Sequence, residues 1–191
     1  MAVQEYAVPE SVSRFQTRAI SVGVIALLLA IFGAVRTPGA FYQSYLMSFL
    51  LILGLTLGSL GLLMLQHLTS GHWGIIIRRS LESATRTLPL IAVLFIPIAL
   101  FGMKYLYAAW LDPEALQKEP LSHFQQSYLT RGGYLTRAVI YFAVWLTLMF
   151  IFNIWSKQQD TNQADRALRR RFKMLAGPGI ILYVFAMSFA A

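Results

Sequence analysis

The chain of 191 residues is 57% hydrophobic and only 13% charged, and it contains no cysteine. A soluble domain carries about 25% charged residues, so this composition excludes a water-soluble globule. The missing cysteine excludes disulfides, thiolate catalysis, iron–sulfur ligation and cysteine zinc sites in this chain. In a membrane protein, the formal net charge of +8 is a signal for orientation and for attraction to anionic lipid.

Five hydrophobic segments predict five membrane-spanning helices, because crossing a hydrocarbon layer of about 30 Å takes roughly 20 apolar helical residues. They are residues 19–35, 41–66, 88–103, 138–156 and 174–191. We therefore predict an all-α, polytopic five-helix transmembrane bundle over residues 19–191, preceded by a cytoplasmic N-terminal segment over 1–18. The fifth segment ends without an interfacial anchor, so we expect the chain to be the N-terminal part of a longer protein.

Prolines predict local irregularities in two of these spans. Pro97 lies inside the third span and predicts a kink there. In the fifth span, Gly177, Pro178 and Gly179 come soon after the predicted start. We expect them to loosen its first turn.

Lys and Arg residues are distributed unequally between the two sides of the predicted membrane. Eleven lie in the N-terminal segment and in the second and fourth loops, against five in the first and third loops. Cytoplasmic loops carry the excess of positive charge, so the N-terminus is predicted to be cytoplasmic. The fourth loop, with Arg169, Arg170 and Arg171, is expected to contact anionic lipid and not nucleic acid. Tyr105, Tyr107 and Trp110 open the third loop and are typical of an interfacial aromatic belt.

Gly54, Gly58 and Gly61 lie on one face of the second predicted span and form an extended GxxxG pattern. Glycines in this arrangement let another helix backbone approach closely. Tight packing inside the bundle is the favoured interpretation, and homodimerisation through this face is the alternative.

The second loop holds the densest set of ionisable groups near the end of a span. The set is His67, His72, Arg78, Arg79, Glu82 and Arg86. If residues 80–86 are helical, the Glu82 carboxylate can reach guanidinium groups on both sides along the helix. Local ion pairing in a topology-setting loop is the favoured interpretation. The functional alternative is a proton-entry or quinone-headgroup environment formed by His67, Arg78, Arg79, Glu82 and Arg86.

The chain has three histidines as candidate haem ligands, His67, His72 and His123, and they form no tight cluster with acidic residues that would favour a metal site. None lies in the interior of a predicted span, so neither intrinsic haem nor a metal site is expected. No Asp, Glu, Lys or Arg lies within a predicted span either. This weakens an interpretation as a transporter, because pumps and transporters place such groups at mid-membrane.

Several stretches of the chain are similar to one family of respiratory membrane proteins. They include Phe41-Tyr42-Gln43-Ser44-Tyr45-Leu46, His67-Leu68-Thr69-Ser70-Gly71-His72-Trp73-Gly74, Arg86-Thr87-Leu88-Pro89-Leu90 and Leu175-Ala176-Gly177-Pro178-Gly179. This pattern resembles the second large membrane subunit of bacterial alternative complex III, a quinol:cytochrome c oxidoreductase. The subunit is also called the F-type Act subunit or quinone-binding subunit 2. The similarity runs from about residue 41 to the end and is most specific over 67–89.

The resemblance implies a relative of the NrfD or polysulfide-reductase membrane subunits, with roughly twice as many spans in two bundles. The chain would then be the N-terminal half of a ten-span subunit in the respiratory chain of the bacterial inner membrane. In that family, haem c and Fe–S clusters belong to partner subunits, and quinol oxidation is placed in a homologous membrane subunit. The resemblance thus implies a non-catalytic or quinone-interacting subunit without a cofactor of its own, which scaffolds the complex and contributes to proton translocation.

Two other functions are open at this point. The chain can instead be a membrane anchor or quinone-binding subunit of another NrfD-type oxidoreductase, such as one that serves a molybdenum enzyme. A small stand-alone transporter is the third and least favoured possibility.

Overall fold

The computed structural model describes residues 10–69, 73–108, 122, 125, 128–161 and 166–190. Of the structure, 95% is helical, and the described residues include no strand. Five helical segments in the described part are long and apolar enough to cross a membrane. They are Val12–Arg36, Pro38–Thr69, Ile76–Leu106, Arg131–Gln159 and Arg170–Ala190. The predicted all-α architecture with five spans is confirmed.

The described helices follow one another along the chain. They are α1 (Glu10–Arg36), α2 (Pro38–Thr69), α3 (Trp73–Thr85), α4 (Leu88–Pro97), a π-helical turn (Ile98–Gly102), α5 (Met103–Leu106), α6 (Arg131–Thr161) and α7 (Arg166–Ala190). The third span is composite, because it combines most of α3 with α4, the π-helical turn and α5. His72, Trp110 and His123 lie outside the described residues.

The helices extend beyond the limits predicted from hydropathy. The third span was predicted over 88–103, yet its helical segment of 31 residues is Ile76–Leu106. At 1.5 Å per residue such a segment runs for ~46 Å, whereas the hydrocarbon layer is about 30 Å thick. The terminal turns can therefore carry charged residues, and Arg78, Glu82 and Lys104 lie there. The prediction of spans without charged residues is wrong for the complete helices. In the same way, α1 begins at Glu10, inside the predicted N-terminal segment.

Pro97 in the third span and Pro178 in the fifth span have different effects. α4 ends at Pro97, and the five residues that follow form the π-helical turn. Proline lacks an N–H donor and crowds the carbonyl four residues earlier, so an irregular turn at this point is expected. Pro178, in contrast, lies well inside α7, which begins at Arg166. The prediction that Pro178 loosens the first turn is wrong, because the polar residues before it are already helical.

The main hydrophobic core lies between α2, α6 and α7. Its fully buried side chains include Leu57, Leu60, Leu63, Met64, Met149, Phe152, Phe172 and Ala176. A Cβ atom added to Gly179 would lie 3.2 Å from Leu148 and 3.4 Å from Met64. The absence of a side chain at Gly179 therefore lets α7 approach α2 and α6 closely.

The three glycines predicted to mediate helix packing have different surroundings. A Cβ atom on Gly61 would lie 3.3 Å from the Tyr183 ring, so α7 packs closely on α2 at this point. A Cβ atom on Gly54 or Gly58 would meet nothing within 4 Å in the described part of the chain. The packing inside the bundle that we expected for all three glycines is therefore found at Gly61 and not at Gly54 or Gly58.

Candidate functional site

Charged and polar side chains of α3 meet the C-terminal half of α6 at one end of the bundle. We call this group the Glu82 network, and it consists of Arg78, Arg79, Glu82, Thr85, Arg86, Asn153 and Ser156. The predicted helix over 80–86 is present up to Thr85, where α3 ends. α3 thus displays the predicted cluster toward α6, which supplies the remaining polar partners.

Glu82 is the centre of the network and is only 1% exposed. Its Oε1 atom accepts a hydrogen bond from Arg78 Nε at 2.7 Å, and its Oε2 atom accepts one from Arg79 Nη1 at 3.0 Å. Both are ion pairs with the i−4 and i−3 residues, as the helical spacing predicts. Charge-assisted hydrogen bonds of this kind are about twice as strong as neutral ones. Both carboxylate oxygens are therefore satisfied, although the carboxylate is buried.

Ser156 connects the ion pair to α6. Its hydroxyl donates a hydrogen bond to Glu82 Oε1 and accepts one from Arg78 Nη2 at 2.7 Å. The three side chains form a closed triangle in which each group contacts the other two. Arg78 is 16% exposed and Arg79 is 59% exposed. The Arg78 contact is therefore the less screened of the two ion pairs.

Arg86 contacts a different partner from the one that we predicted. Its Nε atom donates a hydrogen bond to Asn153 Oδ1 at 2.9 Å, and no ion pair with Glu82 is present in the described structure. The prediction that Glu82 pairs with guanidinium groups on both sides is wrong. The backbone N–H of Arg86 still donates to the Glu82 carbonyl at 3.2 Å, so the spacing is helical up to this residue and it is the side chain that turns to α6. The amide of Asn153 provides an acceptor there instead.

Asn153 fixes the position of α6 relative to the end of α3. Its Nδ2 atom donates hydrogen bonds to Thr85 Oγ1 at 3.1 Å and to the Met149 carbonyl at 2.9 Å. Thr85 Oγ1 in turn donates to the Glu82 carbonyl at 2.8 Å. Asn153 is 6% exposed. A buried amide is stable in such a place only when its donors and acceptors are paired, and here they are.

His67 lies near the end of α2 and packs on aromatic rings of the neighbouring helices. Its ring stacks on Phe172 with 4.0 Å between the centroids and 4° between the planes, and Phe152 lies 5.6 Å away. Arg78 and Glu82 are close enough to interact with it electrostatically. Its buried Nε2 atom has no hydrogen-bond partner in the described structure, and neither has Oε1 of Gln66. His67 is therefore beside the network without being bonded to it.

The structure thus brings together four of the five predicted site residues and adds three that sequence reasoning did not include. Arg78, Arg79, Glu82 and Arg86 belong to one network, and His67 lies next to it. The added residues are Thr85, Asn153 and Ser156. Asn153 and Ser156 are three residues apart and so share one face of α6. Two polar residues on one face of an apolar span are a signal of buried polar contacts that the sequence does contain.

The side chains of the site could exchange protons and attract anions. A buried carboxylate, two hydroxyls and an imidazole can each accept or donate a proton, and three guanidinium groups keep the region cationic. Among the described residues there is no group of three or more His, Asp or Glu side chains that could hold a metal ion.

Compared with known proteins, the chain matches no family model and no curated protein sequence.

Proposed function

We propose that the chain is an integral membrane subunit of a respiratory quinol:cytochrome c oxidoreductase, bacterial alternative complex III. In this proposal it lies in the inner membrane with its N-terminus in the cytoplasm. It scaffolds the complex, has no redox cofactor of its own and contributes the Glu82 network to a proton-translocation route. The observation that carries the proposal is the 1% exposure of a carboxylate at one end of an apolar bundle.

The position of Glu82 supports a role beyond stability. Replacing a buried ion pair by apolar residues is often neutral or stabilising, so such a pair is a weak device for stability alone. A buried carboxylate with a hydroxyl partner, in contrast, is a suitable relay for protons at a membrane. The unpaired Nε2 atom of His67 supplies a second titratable group beside it. Together they offer a start for a proton route at the membrane surface.

The outer surface of the bundle supports the scaffolding role. The apolar window of the first span has no buried residue, although it lies against α2. Gly54 and Gly58 of α2 are also exposed. Apolar helix surfaces of this kind pack against lipid or against other transmembrane helices. The partners in this proposal are the other subunits of the complex, including a homologous membrane subunit that oxidises quinol.

The proposal is tested by the Glu82→Gln variant in the assembled complex. We expect electron transfer from quinol to cytochrome c to continue while fewer protons are moved per electron, because an amide cannot relay a proton. The measurement is the ratio of protons to electrons in proteoliposomes. Asp160→Asn makes the same carboxylate-to-amide change near the end of α6 and is the matched control. An unchanged ratio in Glu82→Gln would contradict the proton role.

Co-purification tests the identity of the complex. Absorbance of c-type haem in the isolated complex supports alternative complex III. Molybdopterin in its place would instead identify the chain as an anchor or quinone-binding subunit of another NrfD-type oxidoreductase. Substrate uptake by the chain alone in liposomes would support the stand-alone transporter and overturn both.

A further inference from the structure

A second charged site lies at the opposite end of the bundle from the Glu82 network, around the π-helical turn. It is a cavity of about 320 Å³ between the third and fourth spans. Among the described residues, Leu100, Phe101, Met103, Lys104 and Arg131 line it. We call it the Lys104–Arg131 pocket. Ligand pockets in proteins begin at about 300 Å³, so this volume suits a small headgroup.

The π-helical turn accounts for the shape of the pocket. Gly102 is buried against Tyr42, because a Cβ atom there would lie 3.0 Å from the tyrosine ring. Leu100 and Phe101 of the same turn point outward and are 55% and 61% exposed. The floor is Met103, which is only 3% exposed. The pocket therefore has a buried floor and an exposed apolar flank.

Two cationic side chains, Lys104 and Arg131, line the pocket together with this apolar flank. Lys104 Nζ lies 4.7 Å from the centroid of the Tyr105 ring, and Arg131 is the first residue of α6. Neither forms an ion pair with a carboxylate in the described part of the chain. An anionic ligand could therefore neutralise the positive charges of both side chains.

Arg131 and Arg137 end two copies of one short motif at the start of α6 but have different surroundings. The stretches 128–131 and 134–137 both read Tyr-Leu-Thr-Arg. Arg137 donates a hydrogen bond to the Tyr128 carbonyl at 2.9 Å, and its guanidinium lies 3.8 Å from the Tyr128 ring. Arg137 thus secures the start of α6, whereas Arg131 lines the pocket.

We infer that the Lys104–Arg131 pocket binds the phosphate group of an anionic phospholipid, with an acyl chain along Leu100 and Phe101. Guanidinium and ammonium groups are the usual ligands of phosphate in proteins. The exposed apolar residues beside them favour a phosphate that carries a hydrocarbon tail over a free phosphate ion. This inference does not depend on the proposed function.

The test is lipid binding to the full chain, purified in a neutral detergent and followed by native mass spectrometry. Phosphatidylglycerol and phosphatidylcholine with identical acyl chains are the probes. Each basic residue near a membrane surface contributes about fivefold in affinity for anionic lipid. We therefore expect the Lys104→Gln/Arg131→Gln double variant to bind phosphatidylglycerol about thirtyfold more weakly and to bind phosphatidylcholine as before.

Two controls separate the pocket from general surface charge and from misfolding. Arg36→Gln removes a cation on the same predicted side of the membrane, and it should leave phosphatidylglycerol binding unchanged. An equal loss in Arg36→Gln would overturn the inference. The charge-conserving Lys104→Arg/Arg131→Lys variant should retain at least a third of the affinity. Loss of lipid preference in that variant would also overturn it.

Inorganic phosphate and glycerol phosphate identify the source of the phosphate group. Neither should displace phosphatidylglycerol at concentrations at which the lipid saturates the site, because both lack the tail. Displacement by either at comparable concentration would show that the site takes a free phosphate and not a lipid. It would contradict the assignment made here.

Discussion

The two ends of the bundle join their helices by different chemistry. At the Glu82 end, a carboxylate that is 1% exposed forms its ion pairs within α3 and accepts a hydrogen bond from the Ser156 hydroxyl of α6. At the other end, aromatic rings make the contacts: Tyr42 stacks on Tyr105 with 5.5 Å between centroids, and Tyr107 packs on Tyr134 at 5.3 Å. We call this second region the aromatic end.

The two ends therefore stabilise cationic side chains in different ways. At the Glu82 end the charge is carried inside the protein, so an opposite charge has to be supplied there. At the aromatic end, Lys104 and Arg137 lie over ring faces and keep access to the outside. Cation–π contacts at exposed positions contribute only about 0.5–1 kcal/mol. We therefore expect the Glu82 end to be sensitive to the loss of a single polar group and the aromatic end to depend on ring packing.

The largest expected effect is that of Glu82→Ala. Removing one member of a buried ion pair costs about 3–5 kcal/mol. We expect about 3 kcal/mol, the lower end of that range, because Arg79 is 59% exposed and can be hydrated. The measurement is the free energy of unfolding of the purified chain in mixed micelles titrated with dodecyl sulfate, followed by circular dichroism.

Arg137→Ala is the matched change at the aromatic end, since it also removes one charged side chain from a helix. It deletes the contact with the Tyr128 ring and one hydrogen bond. The expected loss is about 1 kcal/mol. If the two variants lost equal stability, the proposed contrast between the ends would be wrong.

An intermediate effect is expected for Gly102→Leu, which tests ring packing directly. A Cβ atom at this position would already lie 3.0 Å from Tyr42 and 3.4 Å from Leu106. The Tyr42 ring is held against Tyr105 and cannot retreat easily. Overpacking of this kind costs about 1–3 kcal/mol. Thermal unfolding in detergent should show a lower midpoint for this variant.

Gly132→Leu provides the control for the intrinsic preference of glycine and leucine for helix. Gly132 lies at the same end, in the first turn of α6, and a Cβ atom there meets nothing within 4 Å. We expect no loss of stability. A decrease in both variants to the same extent would indicate that the substitution acts through the helix backbone and not through the rings.

Features that depend on local sequence could be predicted, whereas contacts that depend on helix packing could not. The five spans were predictable because membrane insertion depends on the sum of apolar side chains over a segment. The Arg78 and Arg79 contacts of Glu82 were also predictable, because they depend only on helical spacing. Ser156 lies 74 residues from Glu82 along the chain. Its contact depends on how α6 packs, which local spacing does not determine.

The remaining errors have a common physical origin at helix ends. Helices continue past the apolar segment wherever water can solvate the terminal turns, so hydropathy predicts limits that are too short. Arg86 was assigned to Glu82 by spacing, yet at the end of α3 its side chain bonds to Asn153 of α6 while only its backbone N–H bonds to Glu82. Termination of a helix depends on capping and on the next element, here the start of α4 at Leu88 with Pro89 directly after it. Such details were not visible in the periodicity of the sequence.

The smallest expected effect is that of Tyr107→Phe at the aromatic end. The variant keeps the ring that packs on Tyr134 and removes only the hydroxyl, which lies 3.4 Å from the Tyr134 hydroxyl. Hydrogen bonds between transmembrane helices contribute about 0.6 kcal/mol on average, and this one is long. We expect a loss of no more than about 0.6 kcal/mol in the same unfolding titration.

Ser156→Ala is the corresponding deletion of one hydroxyl at the Glu82 end. Here the hydroxyl bonds to two charged groups, Glu82 and Arg78, and its loss leaves each of them with one partner fewer in a buried place. Hydrogen bonds to charged groups contribute about 1.5–3 kcal/mol, so Ser156→Ala should destabilise the chain severalfold more than Tyr107→Phe. Similar values for the two variants would mean that water reaches the Glu82 carboxylate and replaces the serine. The carboxylate would then be hydrated and not held by α6, and the hydrogen bonds of Asn153 to Thr85 and Arg86 would account for the connection between the helices.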